Sequence, residues 1–182
     1  MDNIFLQEKD SHYKFKWHKL GNIDEGRPNM GPVVPVAVYR LLEYSLNNVL
    51  HDEFGAEQAD ELFPKAGYLA ATEFAHNCLP LAAELDEFLL AVQEKLLEYK
   101  IGIFRVEQAD LEKGEVVVTV YEDLDCSGLP PTHEVVCNYD EGFIAGILEA
   151  YFKKKFIVRE IDCWSKGDRV CRFKGSWLDD SE

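Results

Sequence analysis

Long apolar runs are missing from this 182-residue chain: none approaches the roughly 18 to 20 residues that a membrane-spanning helix needs. Positive charge is scarce too. Nineteen Lys and Arg face 34 Asp and Glu, a formal net charge of −15 at pH 7. That field repels a phosphate backbone and no basic stripe interrupts it, so binding to nucleic acid is not expected. The one positive run, Lys153 to Lys155, reads as a solvated helix end, where cations suit the macrodipole. The start, MDNIFLQEKD, has neither a basic n-region nor an apolar h-region, which argues against a secretory signal and for the cytoplasm. Enzyme signatures are absent as well: no GxGxxG, GxxxxGK, GxSxG or HExxH occurs.

What is present is enough for one ordinary domain. Apolar residues make up 47% of the chain and aromatics 12%, so a real core is expected. Residues 12–18 alternate, with Tyr13, Phe15 and Trp17 against His12, Lys14, Lys16 and His18, and read as a strand. A Gly- and Pro-rich connector follows to Pro32. The period then becomes helical: Val38, Leu41, Leu42, Leu46, Val49 and Leu50 form one apolar face. A second helix carries Leu62, Phe63, Ala66, Ala70 and Phe74, with Pro64 as a start or a kink. There Gly67, Ala70 and Ala71 allow close packing or leave room for something small. A third, about 83–99, has Leu85, Phe88, Leu89, Val92 and Leu96 on its stripe. Two strands about LEKG come next, then a loop, and a helix capped by Asp140 and running to Phe152. Two last strands flank SKGD. Helices, hairpin, helix and hairpin make an α+β protein.

Cysteine is used sparingly and unevenly. Of five, Cys78, Cys126, Cys137, Cys163 and Cys171, four fall in the last third. An odd count in a reducing compartment argues against a disulfide framework, although a cross-strand bridge remains an alternative. A lone buried cysteine is usually a small hydrophobe. Cys163 and Cys171, however, stand four residues either side of Gly167, so a hairpin turn there places them opposite one another on one face. Two sulfurs so placed can share a metal. Cys137, just before the last helix, is the natural third. The fourth ligand is open between Glu160, Asp162, His133 and Cys126. Strict alternation puts Glu160 and Cys163 on opposite faces, so Glu160 joins only if the strand bulges.

The segments VCNYDEGFIAGILEAYF and REIDCWSKGDRVCRF resemble the 4-vinyl reductase domain family, which includes sensor domains of aromatic-responsive bacterial activators. The resemblance covers residues 26–176, leaving 1–25 as an N-terminal extension and 177–182 as an acidic tail. It implies zinc on Cys137, Glu160, Cys163 and Cys171, a closed set without an open position and therefore structural. It also implies a fold shared with Golgi transport-complex subunits, an antiparallel sheet covered on one side by helices. Members form homodimers through their helices and bind small hydrophobic molecules in an apolar cavity. Phe74, Phe88, Phe143, Ile147 and Val158 are offered together as its lining, although for each one taken singly the core reading is the stronger. His76 could present a polar tip to a ligand. Arg27, in GRPNMG, could contact an acidic neighbour.

Three functions follow. The first is a cytoplasmic binding module for a hydrocarbon or aromatic molecule, with structural zinc. The second is an accessory subunit or enzyme of tetrapyrrole vinyl reduction. No hydride-donor site is visible, so an accessory or carrier role fits better than catalysis. The third is an adaptor whose cavity is filled by its own side chains. As a sensor the chain would signal through a separate protein.

Overall fold

A computed structural model describes residues 14–178, in two compact units divided between Pro32 and Val33. The first contains a 3-10 turn, Trp17–Leu20, and the four-residue helix α1, Ile23–Gly26. The strand expected over residues 12–18 is not found in its described part. Residues 14–16 have no regular structure and Trp17 opens the 3-10 turn, while His12 and Tyr13 lie outside the described residues. Alternation becomes a strand only where a ladder partner exists, and the sheet is built from four other segments. Arg27 spends its Nε–H on the carbonyl of Gly31, at 3.1 Å, rather than on an acidic neighbour.

The second unit is α+β. Three helices come first: α2 (Val36–Phe54), α3 (Ala56–Cys78) and α4 (Leu85–Glu98). Strands β1 (Ile103–Asp110) and β2 (Glu115–Tyr121) follow, then α5 (Asn138–Phe152), β3 (Phe156–Asp162) and β4 (Cys171–Trp177). The strands form one antiparallel sheet in the order β1-β2-β4-β3. Burial alternates along β3 and β4: Phe156, Val158 and Glu160, and Cys171, Phe173 and Gly175, turn inward. α4 packs against β1 and α5 against β3. The opposite face carries ion pairs such as Arg172 with Glu107 and Lys174 with Glu115. The expected layering, helices over one side of an antiparallel sheet, is the one observed.

α5 is the buried element. Phe143, Ile144, Ile147 and Leu148 are all in the core, and the helix lies between α3 and the sheet. Glycine allows that depth. A Cβ on Gly142 would stand 1.8 Å from the Pro64 carbonyl oxygen, one on Gly67 2.0 Å from that of Tyr139, and one on Gly146 2.7 Å from Ala71 Cβ. The small residues of α3 therefore serve close helix packing and leave no space. Pro64 neither starts nor ends a helix; α3 runs through it. The expected cap at Asp140 is corrected: Cys137 takes that position, its carbonyl accepting the Glu141 N–H at 3.2 Å, and Asp140 is buried in the first turn.

α2 has the expected apolar stripe, but the stripe is turned outward. Leu41 and Leu42 are 71% and 68% exposed, and the helix buries only Glu43. Among the described residues no helix is long and apolar enough to cross a membrane. Because α3 and α5 touch through backbone, Gly142→Ala should lower unfolding free energy by about 1–3 kcal/mol, the usual cost of overpacking. Urea denaturation measures it; an unchanged midpoint would mean that the helices separate freely.

Candidate metal centre

Four of the five cysteines meet in the interior. Cys126 and Cys137 lie on the connection between β2 and α5, Cys163 follows β3 and Cys171 opens β4, each with 0% exposure. Their sulfurs all lie within 4.8 Å of one another. Cys126 and Cys171 are 3.1 Å apart, Cys137 and Cys171 3.8 Å, Cys137 and Cys163 3.9 Å, and Cys126 and Cys163 4.0 Å.

Local structure explains the gathering. Gly167, with φ of 106°, closes a short 3-10 turn at Trp164–Lys166, and the Asp168 carboxylate accepts the Cys163 N–H at 3.0 Å. β3 shifts register between Glu160 and Asp162: Glu160 faces Phe173, yet Asp162 faces Arg172. This bulge cancels the parity that separates Glu160 from Cys163 in a regular strand. Glu160 stands at the edge of the sulfurs, its Oε2 accepting the Cys137 N–H at 3.2 Å and its Oε1 buried without a partner. Asp162 pairs instead with Arg172, and His133 is exposed.

Cys126 is held from two sides. Asp123 Oδ1 accepts the N–H groups of Asp125 and Cys126, at 2.9 and 3.0 Å, and folds the segment into a tight turn. From α2, Arg40 donates to the carbonyls of Leu124 and Ser127, at 2.8 and 2.9 Å. Tyr39 donates to the Asp125 carboxylate at 2.9 Å, and Tyr44 to its carbonyl. The apolar period of α2 reports only its leucine side and says nothing of this other face. Tyr39, Arg40, Glu43 and Tyr44, spaced i, i+1, i+4 and i+5, were the available signal.

Crowding shifts three of the four thiols. Hydrogen bonds from Cys126, Cys137 and Cys171 hold the Cys163 thiol far below its ordinary range, while the same crowding pushes Cys137 and Cys171 far up. Burial, and then the charge of Cys163, push Glu160 up to about 9. Cys163 therefore loses its proton readily, while Cys137 and Cys171 resist losing theirs. A tetrahedral zinc with bonds near 2.3 Å requires sulfurs about 3.8 Å apart, and the separations here bracket that value. The donor set fits a single tetrahedral ion. Such an ion would supply crosslinking of the chain and, with every position filled, no substrate chemistry.

The other sequence candidates sit elsewhere. Phe74 and Phe143 meet ring to ring at 5.6 Å, Phe88 stacks on Tyr151 at 4.0 Å, and Ile147 is 3% exposed. Val158 edges an open groove with Tyr68 and Ala145. His76 is exposed at the end of α3, and Cys78 lies beside the Tyr99 hydroxyl at 3.8 Å. A small, partly open apolar cavity of about 20 Å³ exists, lined by Leu85, Leu89, Phe104, Val118, Leu148 and Phe152 among others.

The family model of the 4-vinyl reductase domain matches residues 116–176, the stretch that holds all four clustered cysteines. The Methanocaldococcus jannaschii protein MJ0150 is 32% identical over 175 residues, 95% of this chain and 94% of that protein. The chain belongs to the 4-vinyl reductase domain family. A second M. jannaschii relative, MJ1642, is 33% identical over 85 residues, 47% of this chain; the chain spans about half of that protein's length, 50%. Two solved structures share the fold at low identity. The phenol-responsive sensory domain of the transcription activator PoxR, with phenol, has a TM-score of 0.62 at 17% identity, covering 83% of this chain and 78% of that one. The trafficking protein particle complex subunit 3 from Naegleria fowleri, covalently bound to palmitic acid, has 0.63 at 14%, covering 79% and 95%.

Beside the sulfurs lies a pair of carboxyls with a testable titration. Glu43 Oε2 and Asp125 Oδ2 are buried without partners. Burial pushes Glu43 from 4.5 up to about 7, against smaller opposing effects of Asp125 and Arg40. A raised carboxyl favours the protonated fold, so its contribution is complete below about pH 4.5 and is lost as pH rises through about 7. Glu43→Gln should therefore flatten the decline in urea midpoint between about pH 5 and about pH 8. Parallel profiles for the two proteins would show that Glu43 titrates normally.

Proposed function

We propose that this member of the 4-vinyl reductase domain family binds a small apolar molecule between α4 and the sheet, that two copies pair through α2, and that the cysteine cluster holds a structural zinc. The observation that carries the ligand reading is this cavity, whose walls are entirely apolar side chains. Its volume of about 20 Å³ has room for roughly one water, whereas ligand sites span about 300–1,000 Å³. Entry of a ligand therefore requires α4 to move outward. That helix supplies two of the wall residues, Leu85 and Leu89, both only half-buried. The PoxR domain with phenol and the trafficking subunit with palmitic acid support the choice of an aromatic or an aliphatic occupant.

The small cavity also favours a second reading, an adaptor whose interior is filled by its own side chains. Calorimetric titration with phenol and with palmitic acid separates the two. The binding module takes up at least one of them, and Leu89→Trp, which fills the space, abolishes the uptake. No binding of either supports the adaptor. A copurifying tetrapyrrole would instead support an accessory role in vinyl reduction.

Pairing rests on the exposed stripe of α2. Val38, Leu41, Leu42, Leu46 and Val49 are 48–71% exposed along one face, more contiguous apolar surface than isolated residues explain. A second copy offers the same stripe and buries both. Leu41→Asp with Leu42→Asp should convert a dimer to a monomer in sedimentation equilibrium; a monomeric parent protein would refute the pairing. A cluster of reduced thiols needs a reducing compartment, so the proposed location is the cytoplasm.

A further inference from the structure

We infer that the fourth ligand is Cys126, making a mononuclear tetrathiolate site in which Glu160 positions Cys137 without touching the ion. This rests on the reading that the cluster holds a metal, and it departs from the ligand set that the family resemblance implies. Cys126 Sγ lies within 4.8 Å of all three other sulfurs, inside the span that one tetrahedral ion bridges. Glu160 belongs to neither converging group of donor atoms: its Oε2 accepts the Cys137 N–H, fixing the residue that both caps α5 and presents a sulfur, and its Oε1 has no partner. The Asp123 turn and the grip of Arg40, Tyr39 and Tyr44 hold Cys126 in place, so its sulfur arrives without reorganisation.

The geometry also narrows the ion. Sulfurs this close enclose one metal and leave no room for a cluster of several irons, whose thiolates are spread around the cluster. Four soft thiolates in a tetrahedron select zinc over magnesium or calcium. A rival set, Asp123, Cys137 and Asp140, also converges, but Asp123 Oδ1 already accepts two backbone N–H groups.

X-ray absorption at the zinc edge of the full chain tests the assignment without a variant: a shell of four sulfurs is expected, and three sulfurs with one oxygen would overturn it. Cobalt-loaded protein gives a second readout. Cys126→Ser should lose about a quarter of the thiolate-to-metal charge-transfer absorption, one sulfur in four, while Glu160→Gln keeps it whole. Unchanged absorption in Cys126→Ser, with an altered spectrum in Glu160→Gln, would give the position to Glu160. Loss of metal in Asp140→Asn, with no change in Cys126→Ser, would give it to the carboxylate pair. A parent protein that binds neither zinc nor cobalt would instead remove the metal reading itself.

Discussion

The second unit depends on the contact between α3 and α5. Three glycines let the two helices meet backbone to backbone, with Gly142 pressed on the Pro64 carbonyl. No side chain longer than hydrogen fits at that point, so α5 sinks below α3 and reaches the sheet. That depth decides where Cys137 sits, because the helix begins on it. It also decides how much of α5 is removed from water, and burial of this kind contributes on the order of 25 cal/mol per Å² of apolar surface.

Once α5 is set, the cysteine cluster follows from short-range geometry. The bulge in β3, the turn at Gly167 and the Asp123 turn each act over a few residues. Together they turn four sulfurs inward, among carboxyls that burial pushes toward the protonated form. The cavity under α4 is a separate feature. It is bounded by β1, β2 and the far end of α5, away from the cysteines at that helix's start.

Much of this was legible in the sequence. Helical periods located α2 to α5 and β-branched runs located the four strands, because each pattern reports burial on one face. The pairing of Cys163 with Cys171 about Gly167 was likewise a local inference. The N-terminal strand failed because alternation says nothing about whether a partner strand exists. The stripe on α2 was read correctly as a stripe, yet a period cannot say whether protein, a second chain or water covers it. The sequence left Cys126 as one of four candidates for the last ligand, and its place beside the other three sulfurs was out of reach for a related reason. Its segment is fixed by Arg40, 84 residues from the Leu124 carbonyl it grips, and no spacing rule spans that distance. Family resemblance pointed to Glu160, and the bulge that such a role requires is present; what the resemblance did not convey is how close Cys126 comes.

α2 is one stiff rod of 19 residues with two different faces. Tyr39, Arg40 and Tyr44 grip the segment that bears Cys126, while the opposite side offers Leu41 and Leu42. A rod cannot be ordered on one side alone. Whatever steadies the 123–127 segment steadies the leucine face, and whatever seats on the leucines steadies the cysteine segment. Thermodynamic reciprocity requires any coupling between an occupant of the leucine face and one at the cysteine segment to be the same factor in both directions.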